Sequence, residues 1–424
     1  MRRFISVALC ATSFIALSVA ANAADQVEEP VQSGFNWTGF HLGFGVGAGA
    51  AVTELGIPPL GGASFNGIGG EGVFGQFSVG YDHMLSERFM LGGFADVRYG
   101  NIGTSLGIAG LFNASINADL GFDVGLRAGY LISPQTLGYV LAGYSWQQFS
   151  LDTSIPGISA DWNASGFVVG AGLETVLTGN WTLKGEYRFA SYCNVNYLAP
   201  LGVPAGILNA STSTHTFLAG INYRFGAQNG GGATFETPAY DWTGFYVSGA
   251  LGSGGLVHEL NTSLAPISFN GIGAEGIFGE VGIGYDHDFG NFVAGIMVDG
   301  RFATTSTNLT VPGLFNASID ADWGVDVLLR AGYKFNPSTL AYVIGGYSVQ
   351  HFDINIGGLG SIYDWTANGF TVGGGIEAAV SERSTIGLEY RYSQYQSEDF
   401  FGGGLLTSTP SAHTVRANYK FKLF

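Results

Sequence analysis

Residues 117–130, NADLGFDVGLRAGY, alternate without a break. Ala118, Leu120, Phe122, Val124, Leu126, Ala128 and Tyr130 share one parity; Asn117, Asp119, Gly121, Asp123, Gly125, Arg127 and Gly129 share the other. A period of two is the signature of a strand with two unlike faces. The stretch is also far longer than the roughly five or six residues of an ordinary strand. The same alternation predicts strands near 37–51, 72–82, 88–99, 116–131, 136–149, 164–177, 180–192 and 214–225.

The connections between these strands have a rhythm. Short ones at 83–87, 132–135 and 178–179 alternate with long ones at 52–71, 100–115, 150–163 and 193–213. Short turns on one side and long loops on the other are the plan of an outer-membrane β-barrel. In NWTLKGEYRF, residues 180–189, Trp181 stands near one end of the apolar face and Tyr187 and Phe189 near the other, as interface aromatics do.

The pattern then runs a second time. Trp-Thr-Gly-Phe begins at Trp37 and at Trp242, FNGIG at Phe65 and Phe269, GLFNASI at Gly110 and Gly313, and LRAGY at Leu126 and Leu329; EYRF at Glu186 returns as EYRY at Glu389. A unit of this length is a duplicated domain and not a solenoid repeat. The expected organisation is a signal peptide at 1–23, a periplasmic lead at 24–36, repeat 1 at 37–225, a Gly-rich linker at 226–241 and repeat 2 at 242–424. The leader follows from Arg2 and Arg3, an apolar run to Val19, and Ala21-Asn22-Ala23.

Composition sharpens the picture. Charged residues make up 11% of the chain, against about 25% in soluble domains, while aromatics reach 14%. No later run of about 20 apolar residues could cross a bilayer as a helix, which leaves the closed barrel as the spanning structure. Without Arg2 and Arg3, 14 basic residues face 32 acidic ones, which excludes nucleic acid as a partner. One cysteine, Cys193, follows the leader, so no internal disulfide forms. No Ser-His, acid-His, metal-ligand or phosphate-loop spacing is present, so no catalytic residue, metal or cofactor is expected.

The first strand, WTGFHLG and WTGFYVS, and the closing NYRF at Asn222 and NYKF at Asn418 resemble the alphaproteobacterial outer-membrane immunogenic protein family. The resemblance spans both repeats. It implies a porin-like, eight-stranded, non-catalytic barrel in the outer membrane of a Gram-negative cell, here in tandem. The partners it implies are lipid, lipopolysaccharide and the barrel assembly machinery. One departure is the trailing KLF: Tyr419 and Phe421 share a face that Phe424 does not.

Two tandem eight-stranded transmembrane barrels are therefore expected, with one sixteen-stranded barrel as the alternative. The inward parity favours the first. Repeat 1 carries Asp96, Asp119, Asp123, Glu174 and Glu186 with Arg98, Arg127, Lys184 and Arg188, besides Asp82 and Arg224. Repeat 2 carries Asp299, Asp322, Asp326, Glu377 and Glu389 with Arg301, Arg330, Arg391 and Arg416, besides Asp286, Asp320 and Lys420. Near-balance within each repeat fits an ion-pair network filling a narrow interior, because a buried charge needs a partner. Gly125, Gly170, Gly172 and Gly220 leave room for it.

The linker is expected to be a flexible tether. The external loops hold Glu54, Glu71, Asp152, Asp161, Glu259, Glu275, Asp353, Asp364, Glu398 and Asp399 and no basic residue; they are expected to cover the mouth or to bind divalent cations between lipopolysaccharides. The expected function is structural or surface display with a plugged interior. The alternatives are a cation-favouring porin-like channel and, behind it, ligand binding or adhesion through the loops.

Overall fold

The computed structural model describes residues 34–108, 111–157, 159–195, 204, 206–207, 209–263 and 267–423. The expected leader and residues 24–33 of the expected lead lie outside the described residues, as does Phe424. Repeat 1 consists of β1 (Gly39–Ile57), β2 (Ala63–Met84), β3 (Phe89–Ile108), β4 (Phe112–Ser133), β5 (Thr136–Thr153), β6 (Ser159–Thr178), β7 (Trp181–Val195) and β8 (Asn209–Arg224). Repeat 2 begins with β9 (Gly244–Thr262), β10 (Ile267–Asp288), β11 (Phe292–Val311) and β12 (Phe315–Asn336). It continues with β13 (Thr339–Ile356), β14 (Gly360–Ala379), β15 (Ser384–Tyr395), the two-residue β16 (Glu398–Asp399) and β17 (Thr407–Lys422).

Hydrogen bonding joins all seventeen strands into one antiparallel sheet. In repeat 1 the ladder passes from each strand to the next, and β8 also pairs with β1, from His41–Arg224 to Gly56–Asn209. In repeat 2, β17 likewise pairs with β9. Three further pairings cross between the repeats. Ile68 meets Ile272, Ser105–Ile108 meet Ile267–Asn270, and Ser64–Asn66 meet Asn308–Thr310.

This corrects the expected architecture. The chain forms neither two tandem eight-stranded barrels nor one sixteen-stranded barrel; it is a single all-β sheet whose strands do not close evenly. The cause is strand length. β2 pairs with β3 only from Glu71 onward, and β10 with β11 only from Glu275 onward. Their arms at 63–70 and 267–274 outrun those neighbours, and an unpaired strand edge takes another edge when one is near.

The same length corrects the loops. Most of 52–71, 100–115 and 150–163 is strand, and β2 and β4 each reach 22 residues. All ten expected loop acids lie within strands.

Alternation sorts the two faces as the pattern requires. Phe44, Leu126, Val140 and Leu251 are exposed on the outer face, while Asp82, Asp123, Glu174 and Arg391 are buried on the inner one. Trp181 is exposed, whereas Tyr187 packs into an apolar cluster shared by the repeats with Phe217, Ile376, Leu388 and Tyr390.

The Trp-Thr-Gly-Phe tryptophans do not face outward. Trp37 is 1% exposed and Trp242 is 3% exposed. Each reaches across the short-turn mouth of its own repeat. Trp37 Nε1 donates to the Pro134 carbonyl at 3.0 Å, and Trp242 Nε1 donates to Pro337 at 3.0 Å. The Arg224 guanidinium lies 4.6 Å from the Trp37 ring centroid.

Nor is 226–241 a free tether. Ala227 is buried, Gly232 bridges to Gly34, Gln228 Nε2 donates to the Gly179 carbonyl at 2.7 Å, and Phe235 lies beneath Arg88.

Replacing Trp37 with alanine removes both the buried ring and the brace to Pro134. The expected loss is about 3–5 kcal/mol, read as a lower urea midpoint for unfolding in detergent. Trp181→Ala, on the exposed face, is expected to move that midpoint far less.

Candidate functional site

The inner face of each repeat carries two layers of charge. In repeat 1 the layer nearer the short turns joins β2, β4, β6 and β8. Arg127 Nε donates to Asp82 at 2.8 Å and its Nη1 donates to Glu174 at 3.3 Å. Arg224 donates to the same two carboxylates at 2.8 and 2.9 Å. Thr182 and Asn222 complete the coordination of Glu174 at 2.6 and 2.9 Å.

The second layer centres on Arg188. It donates to Glu186, Asp96 and Asp123, each at 2.7 Å. Arg98 donates to Asp123 and to the Tyr192 hydroxyl, both at 2.6 Å. Tyr139 donates to Glu186 at 2.6 Å, and the Lys184 ammonium lies 3.9 Å from that carboxylate. Five carboxylates and five cations balance in this repeat. Hydrogen-bonded ion pairing is what lets such groups sit out of water.

Repeat 2 rebuilds the plan with different parts. Arg391 donates to Glu389 at 2.6 Å and to Asp326 and Asp299 at 2.8 Å. Arg330 donates to Asp286 at 2.8 Å and also to Glu377, which Lys420 approaches at 2.9 Å. Arg301 lies 3.6 Å from Asp326. Arg416 bonds to Glu280.

At the positions of Lys184, Gly220 and Gln76, repeat 2 has Gly387, Arg416 and Glu280. The cation moves to the neighbouring strand, and a carboxylate arises to meet it.

Three of the named residues stand apart: Asp119, Asp322 and Asp320, whose carboxylate accepts from Ser318 at 2.8 Å and Asn355 at 2.9 Å. Asp119 makes no ion pair among the described residues and is half-buried. Asp322 turns outward, where its carboxylate accepts from His351 Nδ1 at 2.8 Å. Bulges between Ala118 and Gly121 and between Ala321 and Gly324 cause this. An extra residue in one strand reverses the parity beyond it. The other twenty lie on the inner face.

Sequence reasoning passed over Glu280 and His41. Glu280 shares the parity of Asp286 on β10, and His41 that of Gly43 and Gly45 on β1, so the alternation could have found both. His41 is buried, with Nε2 3.0 Å from Arg127 Nη2.

A second constellation was not visible in the sequence. Glu71 of repeat 1 accepts from Ser411 at 2.7 Å and from His413 at 3.1 Å, both in repeat 2. Glu275 of repeat 2 accepts from Ser213, and from His215 at 3.3 Å, both in repeat 1. Each histidine takes a tyrosine hydroxyl at its other nitrogen: Tyr187 for His215 and Tyr390 for His413, at 2.8 and 2.7 Å. Each exchange mirrors the other across the seam.

Outside the layers, Asp241 precedes β9. The Thr243 amide donates to it at 2.8 Å and Lys422 stands 3.2 Å away, so its carboxyl is held below the usual range.

Little space remains in repeat 1. Asp96, Arg127, Lys184, Glu186 and Arg188 border a cavity of about 10 Å³, at most the room one water needs.

The family model for the outer membrane protein beta-barrel domain matches residues 7–225 and again 230–421. A 22 kDa outer membrane protein of Rhizobium leguminosarum bv. viciae is 32% identical over 165 residues, covering 38% of this chain and 69% of its own. A 31 kDa outer-membrane immunogenic protein of Brucella melitensis is 27% identical over 238 residues, covering 51% of this chain and 96% of its own. Among solved structures, Neisserial surface protein A aligns with 43% of this chain and 98% of its own at 14% identity, with a TM-score of 0.29.

Arg188→Ala leaves Asp96 without its ion-pair partner and takes one partner each from Asp123 and Glu186, which keep Arg98 and Tyr139; the expected cost is about 3–5 kcal/mol. Asp119→Asn is expected to stay within about 0.5 kcal/mol of the parent. Urea unfolding in detergent, followed by tryptophan fluorescence, separates the two. Equal midpoints would remove the stabilising role of the Arg188 layer.

Proposed function

Because the chain belongs to the outer membrane protein beta-barrel domain family, we propose that it is a structural and surface component of the bacterial outer membrane whose filled interior passes no solute. Its outer-membrane, largely β-stranded character and its non-enzymatic role follow from that membership. The observation that carries the rest is the inner face. Charges paired at 2.6–2.8 Å around Arg188 and Arg391 occupy the space a channel would need, and about 10 Å³ is left beside them in repeat 1.

On this reading the exposed apolar faces meet lipid, and residues 1–23 direct export by the general secretory route. A spanning strand needs about 9–11 residues, so strands of 18–22 residues project beyond the bilayer on the long side, toward lipopolysaccharide. An exposed Tyr419 and Phe421 near the end of β17 suit recognition by the assembly machinery.

Planar-bilayer recording on the full chain tests this. The expected record shows no stable conductance step once protease protection in vesicles demonstrates insertion. A stable, cation-selective step of porin size would establish a passive channel instead.

A further inference from the structure

An apolar cleft of about 1280 Å³ opens between the two repeats. Leu91, Tyr130 and Val140 line it from repeat 1, and Leu251, Val281 and Phe302 from repeat 2. Each of the six is at least 40% exposed, on the outer face of its strand. The cleft begins at the short turns, beside Leu85 and Ile386, and runs to the middle of β9 and β11. Its volume exceeds the roughly 300–1,000 Å³ of a drug-sized pocket.

Charge marks one end of it. Fourteen basic residues follow the leader arginines. Twelve have a carboxylate within 4.0 Å. Arg88 and Arg383 have none among the described residues. Arg88 stands on the cleft itself, its Nη1 donating to the hydroxyl of the lining Tyr130 at 3.2 Å. Arg383 is exposed in the turn three residues before Ile386. At the equivalent positions of the other repeat stand Asn291 and Asn180. The duplication therefore placed no cation at the equivalent positions of the other repeat.

We propose that this cleft binds one glycerophospholipid of the periplasmic leaflet, with its acyl chains along Leu91, Val140, Leu251 and Phe302 and its phosphate at Arg88 and Arg383. An amphipathic ligand fits because two guanidiniums with no carboxylate paired to them among the described residues stand at one end, each beside an exposed glutamate, Glu87 and Glu382, while the lining is chiefly apolar. The periplasmic leaflet is required because the arginines lie at the short turns, which face the periplasm in outer-membrane proteins. Basic sites beside apolar grooves recognise lipid headgroups in this way.

The inference rests on the proposal that the outer faces meet lipid, and the test keeps the two apart. The full chain is reconstituted in phosphatidylglycerol vesicles, checked for insertion by protease protection, extracted in mild detergent and weighed by native mass spectrometry. One retained phosphatidylglycerol per chain is expected. The double variant Arg88→Gln/Arg383→Gln and the cleft-filling Ala128→Trp should each lower its occupancy about tenfold. Ala331→Trp, the equivalent substitution outside the cleft, should leave it unchanged. Undiminished retention in Ala128→Trp, or equal loss in Ala331→Trp, would overturn the site. A chain that inserts and retains no lipid overturns the site alone; one that never inserts overturns the membrane reading as well.

Discussion

The grip of one guanidinium on three carboxylates governs each repeat. Arg188 holds Glu186 from its own strand, Asp96 from β3 and Asp123 from β4; Arg391 does the same with Glu389, Asp299 and Asp326. A charge removed from water costs several kcal/mol unless its partners replace the lost hydration. Once Arg188 is buried, acceptors must stand on distant strands, and those strands must curve to bring them within reach. The space must also be cleared. A Cβ at Gly170 would lie 3.3 Å from the Arg188 side chain, and one at Gly172 would run into the Tyr139 ring. Above the charges, Phe149, Trp162 and Tyr192 pack together, as do Phe352, Trp365 and Tyr395. Below them sits the tryptophan brace. Each repeat is thus filled in three tiers, with ion pairs in the middle.

The seam between the repeats obeys a different constraint. Gly69 and Gly273 approach so closely that a Cβ on either would meet the other's backbone at 2.3–2.4 Å. Only that approach lets the arms of β2 and β10 share hydrogen bonds, and it brings Glu71 and Glu275 onto serine and histidine of the opposite repeat. Toward the short turns, Thr136 and Thr339 meet hydroxyl to hydroxyl at 2.7 Å and Phe217 stacks on Tyr390. The contacts are reciprocal because the sequences are duplicated.

Much of this was legible. Period two located the strands, and parity put twenty of the twenty-three named charges on the inner face. Asp119, Asp320 and Asp322 escaped because a bulge is a one-residue change that alternation cannot register. The long arms escaped because small and apolar residues such as those of 106–115 read as loop when lipid, water and a second strand are all possible neighbours. The burial of Trp37 escaped because its sequence position fits the mouth equally well from inside or outside. The Glu71–His413 contact spans 342 residues, and nothing local announces it.

Duplication lets the two constraints be compared within one chain. On the inner face, change is permitted only in compensated sets: Lys184 gives way to Gly387 while Arg416 and Glu280 appear as a bonded pair. A lone change there would leave a charge without a partner. In the exposed short turns no buried partner constrains the change. Glu87-Arg88 stands where the other repeat has Gly290-Asn291, and Glu382-Arg383 where it has Gly179-Asn180, so each arginine came or went with a neighbouring glutamate. Differences confined to the inside preserve the fill, while differences on the outside are free to specialise one flank of the molecule. That is why the two arginines on one side of the seam, absent from the equivalent positions of the other repeat, carry functional information that the repeated charges inside do not.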